Sequence, residues 1–425
     1  MQFTKQQWII LGIAGFVILF FILVFIGILP GLRQSGKSET LTFWGTDDPS
    51  AWSYTISTFS KLHPGMSIKY KQVSPVDFQT TLINAMAAGT GPDLTVINNK
   101  WLYKLRGILI PAPTSTIPVS QVSNLFPQTV SNDFVYNNQV YAMPTSLDTL
   151  ALIYNRDLFD QAGIALPPKT WPAFTSDAMK MRILSRGKII RAGTAMGGTS
   201  QSISGATDIT SLLMMQYGTP MIDSNGYVDF SGQGATQAVT LYTQFANPQS
   251  RYYTWNDSMG SDISAFENGK VGMIIGYASD LANIESAAPN LNIAVAPVPQ
   301  VNQTDQVNFP DYWGVAVTRT AKDPQAAWSF ANFAATDVVS AANYSSQTSL
   351  PPALRVLVAQ DSNSQNLGAF VSQSLTAQDW TEPDSTAVSN AFDAMIQSIT
   401  SNGSSVGNAI SQAQSAVSAL FQSGS

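Results

Sequence analysis

Short apolar runs alternate with amphipathic stretches between residues 41 and 97. The runs at 41–44, 66–73 and 94–97 have the pattern of strands, and the stretches at 50–62 and 76–88 have the spacing of helices. A β-α-β-α-β order predicts a largely parallel sheet with helices on its faces. Sheets of this kind bind ligands beyond the carboxyl ends of their strands, so the residues that follow each strand are the first candidates for a site.

Aromatic and polar side chains follow two of these strands: Trp44, Asp47 and Asp48 after the first, and Asn98, Asn99 and Trp101 after the third. An indole face can stack on a ring while carboxylates and amides bind hydroxyl groups. The pattern therefore favours a neutral, hydroxyl-rich ligand. Most of the candidates lack a positive charge, with Lys100 as the exception, and this argues against phosphorylated or acidic ligands.

Some of these carboxylates have a second interpretation. Asp48 and Asp93 both stand where an aspartate can cap the next helix. For Asp47 and Asp48 we favour ligand contact. For Asp93, which follows Gly91 and Pro92, we favour a structural role.

The first 40 residues predict a membrane anchor and a tether. Residues 9–29 form an uncharged, mostly apolar run, and 21 residues span about 31 Å as a helix, which matches the hydrocarbon core of a bilayer. We interpret this run as an uncleaved signal anchor, and removal as a signal peptide remains the alternative. Residues 30–40 would then be a short tether that holds a large extracellular C-terminal part close to the cell membrane.

Composition narrows the classes of function. A chain of 425 residues is long enough for two lobes, and a net charge of -6 leaves no basic stripe for nucleic acid. The chain has no cysteine, which excludes disulfides, cysteine–zinc sites and thiol nucleophiles. The single histidine, His63, stands in a turn before Pro64 and Gly65, where a structural role is favoured. We expect neither a metal ion nor a cofactor.

Enzyme signatures give little support for catalysis. Residues 403–407 match the G-x-S-x-G pattern, but no histidine follows them and no strand precedes them, so they predict a helix break. No phosphate-binding loop and no histidine-based metal motif is present. A membrane-anchored glycosidase that uses two carboxylates remains an alternative, as does a surface-anchored carbohydrate receptor or adhesin.

The ordered set of segments resembles the extracellular solute-binding proteins of ABC importers, of the maltose- and oligosaccharide-binding type. Nearly all of residues 41–350 take part in the resemblance, and its main segments are LTFWGTDD (41–48), AAGTGPDLTVI (87–97), VYAMPTSLDTLALIYNRDLFDQAGI (140–164), TWPAF (170–174), AFENGKVGMIIGY (265–277), VAPVP (295–299) and DYWGVAVTRTAKDPQAAWSFANFAA (311–335). Each segment alone is weak evidence for the family, but the ordered set of segments is strong evidence.

The resemblance implies an α/β fold of two lobes with central sheets flanked by helices and a ligand cleft between the lobes. It places one lobe at 40–148 and 297–338, and the other at 149–296 and 339–425. It also implies further ligand-binding residues by their place in the family pattern, namely Asp148, Tyr277, Trp313 and Trp380, with Trp255 as another candidate.

The function implied by the resemblance is a binding subunit, not an enzyme. A carbohydrate, expected to be an oligosaccharide, would bind in the cleft, close the lobes and be delivered to the transmembrane permease subunits of an ABC importer. The sequence departs from the family in two places: a membrane run replaces the usual cleaved or lipidated signal, and residues 187–206 match no family segment.

Overall fold

The structure of this protein is a computed structural model, and it describes residues 39–423. The predicted membrane segment at 9–29 lies outside these residues, and so does most of the predicted tether at 30–40. The tether prediction needs one correction: Glu39 and Thr40 already belong to the first strand, where they pair with Met66 and Ser67. Within residues 39–423, no helix combines the length and the apolarity that crossing a membrane requires.

The strands are numbered in chain order. They are, from β1 to β17, Glu39–Gly45, Met66–Gln72, Leu94–Asn98, Leu109–Ile110, Val135–Tyr136, Gln139–Val140, Met143–Pro144, Asp148–Thr149, Ala151–Asn155, Ile183–Ser185, Lys188–Thr194, Met221–Ile222, Val228–Asp229, Val271–Gly276, Ile293–Pro297, Pro310–Asp311 and Trp313–Thr318.

The helices of the described residues are numbered in the same way. They are, from α1 to α17, Pro49–Leu62, Phe78–Ala87, Leu102–Leu105, Val119–Leu125, Gln128–Phe134, Arg156–Gln161, Trp171–Met181, Ala206–Gln216, Gln233–Thr243, Asp262–Glu267, Ala278–Ala287, Pro324–Thr336, Val338–Thr348, Arg355–Asp361, Gly368–Gln373, Ser385–Thr400 and Val406–Ser423.

The first sheet has the strand order β2-β1-β3-β17-β4, and β7 also pairs with β17. Strand β1 is parallel to both β2 and β3, which confirms the β-α-β-α-β unit predicted at the start of the chain. Strand β17 runs antiparallel to β3 and β4, so the whole sheet is mixed and not largely parallel. All five residues of β3 are buried, because this strand lies at the centre of the sheet.

The second sheet has the order β10-β11-β14-β9-β15. Strand β14 is buried along its whole length, because β11 flanks it on one side and β9 on the other. The β11–β14 pair is parallel, but β9 is antiparallel to both β14 and β15. This sheet is therefore mixed as well, and its central strands carry apolar side chains on both faces, as expected of a sheet covered by helices.

Two hydrophobic cores divide the described residues into two lobes, which confirms the predicted two-lobed α/β fold. One core extends from Leu41 to Leu147 and resumes at Tyr312, and the other begins at Leu150. The chain crosses between them through β8 and β16, which form an antiparallel ribbon with Asp148 opposite Asp311. Asp148 and Asp311 of this ribbon both line a cavity that residues of the two lobes share.

Core membership suggests where the lobes exchange chain segments. Phe309 packs in the second core and Tyr312 in the first, and Leu357 packs in the first and Phe370 in the second. We propose lobe boundaries at these two places, instead of at 297 and 339, and keep the boundary near Asp148.

Candidate functional site

A cavity of about 480 Å³ lies between the lobes and is lined by both of them. Three aromatic side chains (Trp101, Tyr277 and Trp313) form part of its wall. Its polar wall contains Asn98, Lys100, four aspartates (Asp148, Asp208, Asp280 and Asp311) and the serines Ser146, Ser204, Ser279 and Ser385. We call this the first chamber.

Two tryptophans of the first lobe form one side of the first chamber. Trp313 begins β17 and is the register partner of Asn98 at the end of β3, so the sheet itself brings Trp313 close to Trp101. Their ring centroids are 4.9 Å apart and the rings meet edge to face at 78°. Phe78 lies 6.3 Å from each of them and supports the pair from α2. Both indoles are only partly buried, which leaves apolar surface for a ligand.

Lys100 links the two lobes across the cleft. Its Nζ lies 2.7 Å from Oδ1 of Asp208, on α8 of the second lobe, and 3.5 Å from Oδ2 of Asp311. Asn98 donates from Nδ2 to Asp311 at 2.7 Å, and the Tyr277 hydroxyl donates to Asp208 at 2.7 Å. Burial opposes the charged form of Lys100, but the neighbouring carboxylates outweigh this effect and raise its pKa. Lys100 is therefore a neutralised cation and not a free anion-binding group.

Asp148 connects the crossover ribbon to the start of α11. Its carboxylate accepts hydrogen bonds from the backbone N–H groups of Thr149 at 2.8 Å, Ala278 at 3.0 Å and Ser279 at 3.2 Å. Burial raises the pKa of Asp148 to about 8, although these N–H groups act in the opposite direction. The contact fixes the helix that follows Tyr277, so Asp148 helps to position an aromatic wall while lining the chamber itself.

A second chamber of about 460 Å³ lies on another side of Lys100. Its wall includes Asn99, Asp379, Trp380 and Glu382. Asn99 donates from Nδ2 to Asp379 at 2.7 Å, and Trp380 donates from Nε1 to Ser211 at 3.3 Å. Burial raises the pKa of Asp379, and that of its neighbour Asp133.

A smaller cavity of about 190 Å³ shares Lys100, Asp208 and Ser385 with the first chamber. It shares Lys100 and Glu382 with the second chamber. We call it the connecting cavity, because its walls adjoin both of the larger ones.

The structure brings together seven of the residues predicted from sequence. The first chamber contains Asn98, Trp101, Asp148, Tyr277 and Trp313, and the second contains Asn99 and Trp380. These residues come from both lobes and from segments up to 282 positions apart, counting from Asn98 to Trp380.

The other predicted residues near the first strand lie elsewhere in the first lobe. Trp44 stacks under the ammonium group of Lys71, its register partner on β2, at 4.3 Å from the ring centroid. Asp47 accepts hydrogen bonds from Trp52 at 3.3 Å and from Tyr344 at 3.0 Å, and burial raises its pKa. Asp48 caps α1 by accepting from the Ser50 N–H at 2.8 Å, because the chain turns into the helix at Pro49.

Two further candidates are buried within the lobes. Asp93 accepts hydrogen bonds from the backbone N–H groups of Thr42 and Lys322, at 2.7 Å and 2.8 Å. Trp255 is 1% exposed in the second core and donates from Nε1 to Ser202 at 3.2 Å. The structure thus places Trp255 in the core and not in the cleft, because its large apolar surface packs among the helices of that lobe.

Sequence reasoning missed most of the acidic wall, including Asp208, Asp280, Asp311 and Glu382. A signal existed for Asp311, which stands two residues before Trp313 in a segment that resembles the family. Asp208 and Glu382 lie where no family segment was matched, and a lone carboxylate has no pattern that separates it from a surface charge. In the part of the chain that the structure describes, no group of three His, Cys, Asp or Glu side chains could hold a metal ion.

Comparison with known sequences and structures identifies relatives of this chain. The family model for bacterial extracellular solute-binding proteins matches residues 44–340. A binding protein of Brucella abortus (strain 2308) is 28% identical over 278 residues, which cover 65% of this chain and 66% of the relative. The mannitol-binding protein of Pseudomonas aeruginosa is 21% identical over 318 residues, which cover 72% of this chain and 70% of the relative. The match to the first relative thus spans just under two thirds of its length.

A solved structure shares the fold. The ABC substrate-binding protein from Listeria monocytogenes, in complex with cycloalternan, superimposes with a TM-score of 0.74 and covers 90% of this chain and 99% of that one. Its sequence identity is 17%, so this likeness concerns the fold alone.

Proposed function

The chain belongs to the family of bacterial extracellular solute-binding proteins, and we propose that it is the substrate-binding subunit of an ABC importer for a neutral carbohydrate. The proposal draws on the cycloalternan complex of the Listeria protein and on the mannitol-binding relative from Pseudomonas. Both relatives have ligands rich in hydroxyl groups. We propose an oligosaccharide as the ligand of this chain.

One observation carries this proposal: an edge-to-face tryptophan pair shares a cavity with carboxylate and serine oxygens. The faces of Trp101 and Trp313 can stack on the apolar C–H surface of a sugar ring. Asp311 and Asp280, on the same cavity wall, are acceptors for its hydroxyl groups. Among the described residues that line the first chamber, Lys100 is the cation, and it is already paired with Asp208, so it is not free to bind an acidic sugar.

The proposed mechanism is selection of a closed state. Residues of both lobes line the first chamber, so a bound sugar makes its full set of contacts only when the lobes are close together. The crossover ribbon β8–β16 is the natural hinge, because its short strands connect the two cores. The Lys100–Asp208 ion pair adds a direct contact between the lobes in the closed form.

We also propose how the protein is held and what it serves. Residues 9–29 would anchor it in the cell membrane, with the two lobes outside the cell, and the closed form would dock on the transmembrane permease subunits. The sugar would be bound and released without any covalent change.

Isothermal titration calorimetry with a panel of neutral sugars, including mannitol, mannotriose and maltotetraose, tests this function. We expect reversible binding to the wild type and recovery of intact sugar. Because each stacked indole loses most of its contact area on truncation, Trp101→Ala and Trp313→Ala should each weaken binding by about tenfold or more.

Trp44→Ala is the matched control, since Trp44 is also a partly buried tryptophan of the first lobe but stacks on Lys71. This variant should bind as the wild type does. A Trp101→Ala, Trp313→Ala double variant that retains full affinity would refute the stacking geometry. Shorter sugars released during incubation would instead favour a glycosidase.

A further inference from the structure

Positive charge is concentrated in one segment of the second lobe. Five of the 21 lysine and arginine residues lie within positions 180–191, and positions 178–207 contain no aspartate or glutamate. Lys180 is paired with Asp177 at 2.9 Å. The four others are in no ion pair within the part of the chain that the structure describes, namely Arg182, Arg186, Lys188 and Arg191. The segment is therefore an uncompensated cationic surface on a protein whose net charge is -6.

The segment forms a hairpin at the edge of the second sheet, where β10 pairs with β11 alone. Ser185 is opposite Lys188, so Arg186 and Gly187 form a two-residue turn, with φ angles of 50° and 77°. A turn with two positive φ angles favours asparagine, aspartate or glycine at its first position, and arginine is unfavourable there. The geometry of the turn thus does not explain the charge at its tip. We call residues 182–191 the basic hairpin.

Apolar side chains are exposed between the cations of the basic hairpin. Ile183, Leu184 and Ile190 are 44%, 47% and 58% exposed. Ile183 and Leu184 follow one another in β10 and point to opposite faces of the strand, so both faces carry exposed apolar surface. A protein partner would cover one face of such a hairpin. A lipid headgroup layer can surround a projecting tip on all sides, and its phosphates complement the positive charge.

The basic hairpin lies at the end of the second lobe that points away from the cleft. Strand β11 is parallel to β14, and β14 ends next to Tyr277 in the first chamber, so Lys188 begins β11 at the opposite end of the sheet. In the first lobe, β1 is parallel to β3, which ends at Asn98 in the same chamber. Glu39, which begins β1, is therefore at the far end of that lobe.

We propose that the basic hairpin binds the surface of an anionic phospholipid bilayer. Arg186 and Lys188 contact the phosphates of the headgroups, and the exposed apolar side chains enter the layer beneath them. Together with the proposed anchor at 9–29, which joins the chain at the far end of the first lobe, this contact would hold the protein at both ends and lay it along the membrane. The inference goes beyond the proposed function, because it does not depend on the sugar.

A single fluorescent label can test this contact, because the chain contains no cysteine. Ser185→Cys in the full chain places an environment-sensitive dye on the exposed strand β10. The labelled chain is reconstituted into nanodiscs of phosphatidylcholine, with or without about 30% phosphatidylglycerol. In the anionic nanodiscs we expect the dye emission to shift to shorter wavelength and to be quenched by a spin-labelled lipid. Both effects should be weak in neutral nanodiscs and should be lost at about 1 M salt.

Variants in the labelled chain separate the electrostatic and the apolar contributions. The Arg186→Glu, Lys188→Glu double variant should lower the ratio of docked to undocked protein by about tenfold or more, because each cation near an anionic surface adds to the attraction. A Leu184→Ser, Ile190→Ser double variant keeps the charge and should lower the ratio by a smaller factor, because it removes only the apolar part of the contact.

The matched control is a Lys169→Glu, Arg355→Glu double variant. It makes the same change of charge at two exposed positions outside the basic hairpin. This control should dock as the parent chain does. Calorimetry with the same panel of neutral sugars should give the affinity of the wild type for the hairpin variants and for the control, because all these positions lie outside the first chamber.

Three results would overturn the proposal. The first is equal emission and quenching in neutral and anionic nanodiscs. The second is equal loss of docking in the hairpin charge variant and its control, since the overall charge would then be sufficient to explain it. The third is self-association without lipid that the hairpin substitutions abolish in sedimentation velocity, which would assign the surface to a second copy of the chain. Failure of every sugar to bind the wild type would refute the proposed function and leave the docking result unchanged.

Discussion

Asp93 joins three segments of the first lobe through one carboxylate. One oxygen accepts from the backbone N–H and the hydroxyl of Thr42, each at 2.7 Å, and the other accepts from the N–H of Lys322 at 2.8 Å. The backbone N–H of Asp93 in turn donates to the Thr42 hydroxyl at 3.0 Å. These bonds connect β1 to the turn that follows β17, and they use the acceptor capacity of the side chain within the lobe.

We therefore expect Asp93→Ala to lower the free energy of unfolding by about 2 kcal/mol, because it removes the acceptor of two part-buried backbone N–H groups and of the Thr42 hydroxyl. Sugar affinity should be unchanged in the protein that remains folded. Urea denaturation followed by circular dichroism measures the first quantity, and calorimetry measures the second. Asp305→Ala, at an exposed position, is the control and should cost less than about 0.5 kcal/mol. Loss of affinity without loss of stability would assign Asp93 to the ligand instead.

Helix starts explain why the role of some aspartates, as helix caps or as ligand contacts, could not be decided from the sequence. Asp48, Asp323 and Asp337 each accept a backbone N–H in the first turn of the helix that follows them. A cap and a ligand contact need the same residue type at the same place, directly after a strand or a loop. The sequence could not separate the two roles, because only the position of the cleft decides between them.

Asp48→Ala should lower the Tm by roughly one to two degrees, because the start of α1 loses its side-chain cap. The conservative change Asp48→Asn should retain the cap and most of the Tm. Differential scanning calorimetry of the two variants measures the difference. Equal sugar affinity of Asp48→Ala and the wild type is expected, and a clear drop would show that Asp48 contacts the ligand.

The strands themselves were more predictable than their directions. Apolar runs at 94–97, 150–154, 271–277 and 313–317 all coincide with buried strands. Their pairing partners and antiparallel directions were not predictable, because an apolar run indicates that a strand is buried but not which strand it pairs with or in which direction. The family resemblance supplied the two-lobed fold, which periodicity alone does not specify.

The aromatic residues that line the cleft could be predicted from the sequence, but most of the acidic ones could not. Trp101 and Tyr277 follow strands that the sequence shows clearly, and Trp313 begins one. A large aromatic residue at the end of a strand is a recognisable candidate for ligand contact. Asp208 and Glu382 reach the cleft from helix and loop positions far away in the chain. Only the assembled lobes bring these carboxylates together around Lys100.

At the scale of the whole molecule, several buried acids keep their protons to a higher pH in the folded protein than in the unfolded chain. Burial raises the pKa of Asp148 to about 8, that of Asp262 to about 7 and that of Glu382 to about 8. In the unfolded chain these groups ionise near pH 4. Between about pH 4 and pH 8 the folded protein therefore binds more protons than the unfolded chain.

Under this condition the free energy of unfolding decreases as pH rises. The stabilisation is complete below the unfolded pKa values and is lost as pH rises through the folded ones. We expect a decrease of at least about 2 kcal/mol between pH 5 and pH 8. Chemical denaturation at the two pH values measures it, and an Asp262→Asn, Glu382→Gln double variant should show a flatter profile. Stability that increases over this range would contradict the assignment of raised pKa values.

The tryptophan pair also has an optical consequence. Two indoles whose centroids are 4.9 Å apart and whose planes are inclined at 78° lie close enough for their electronic transitions to couple. Such coupling gives a paired positive and negative band in circular dichroism, and its shape depends on the angle between the rings. A sugar that stacks on either ring changes that angle or its surroundings. If a sugar binds as proposed, the pair therefore reports occupancy of the first chamber without a label.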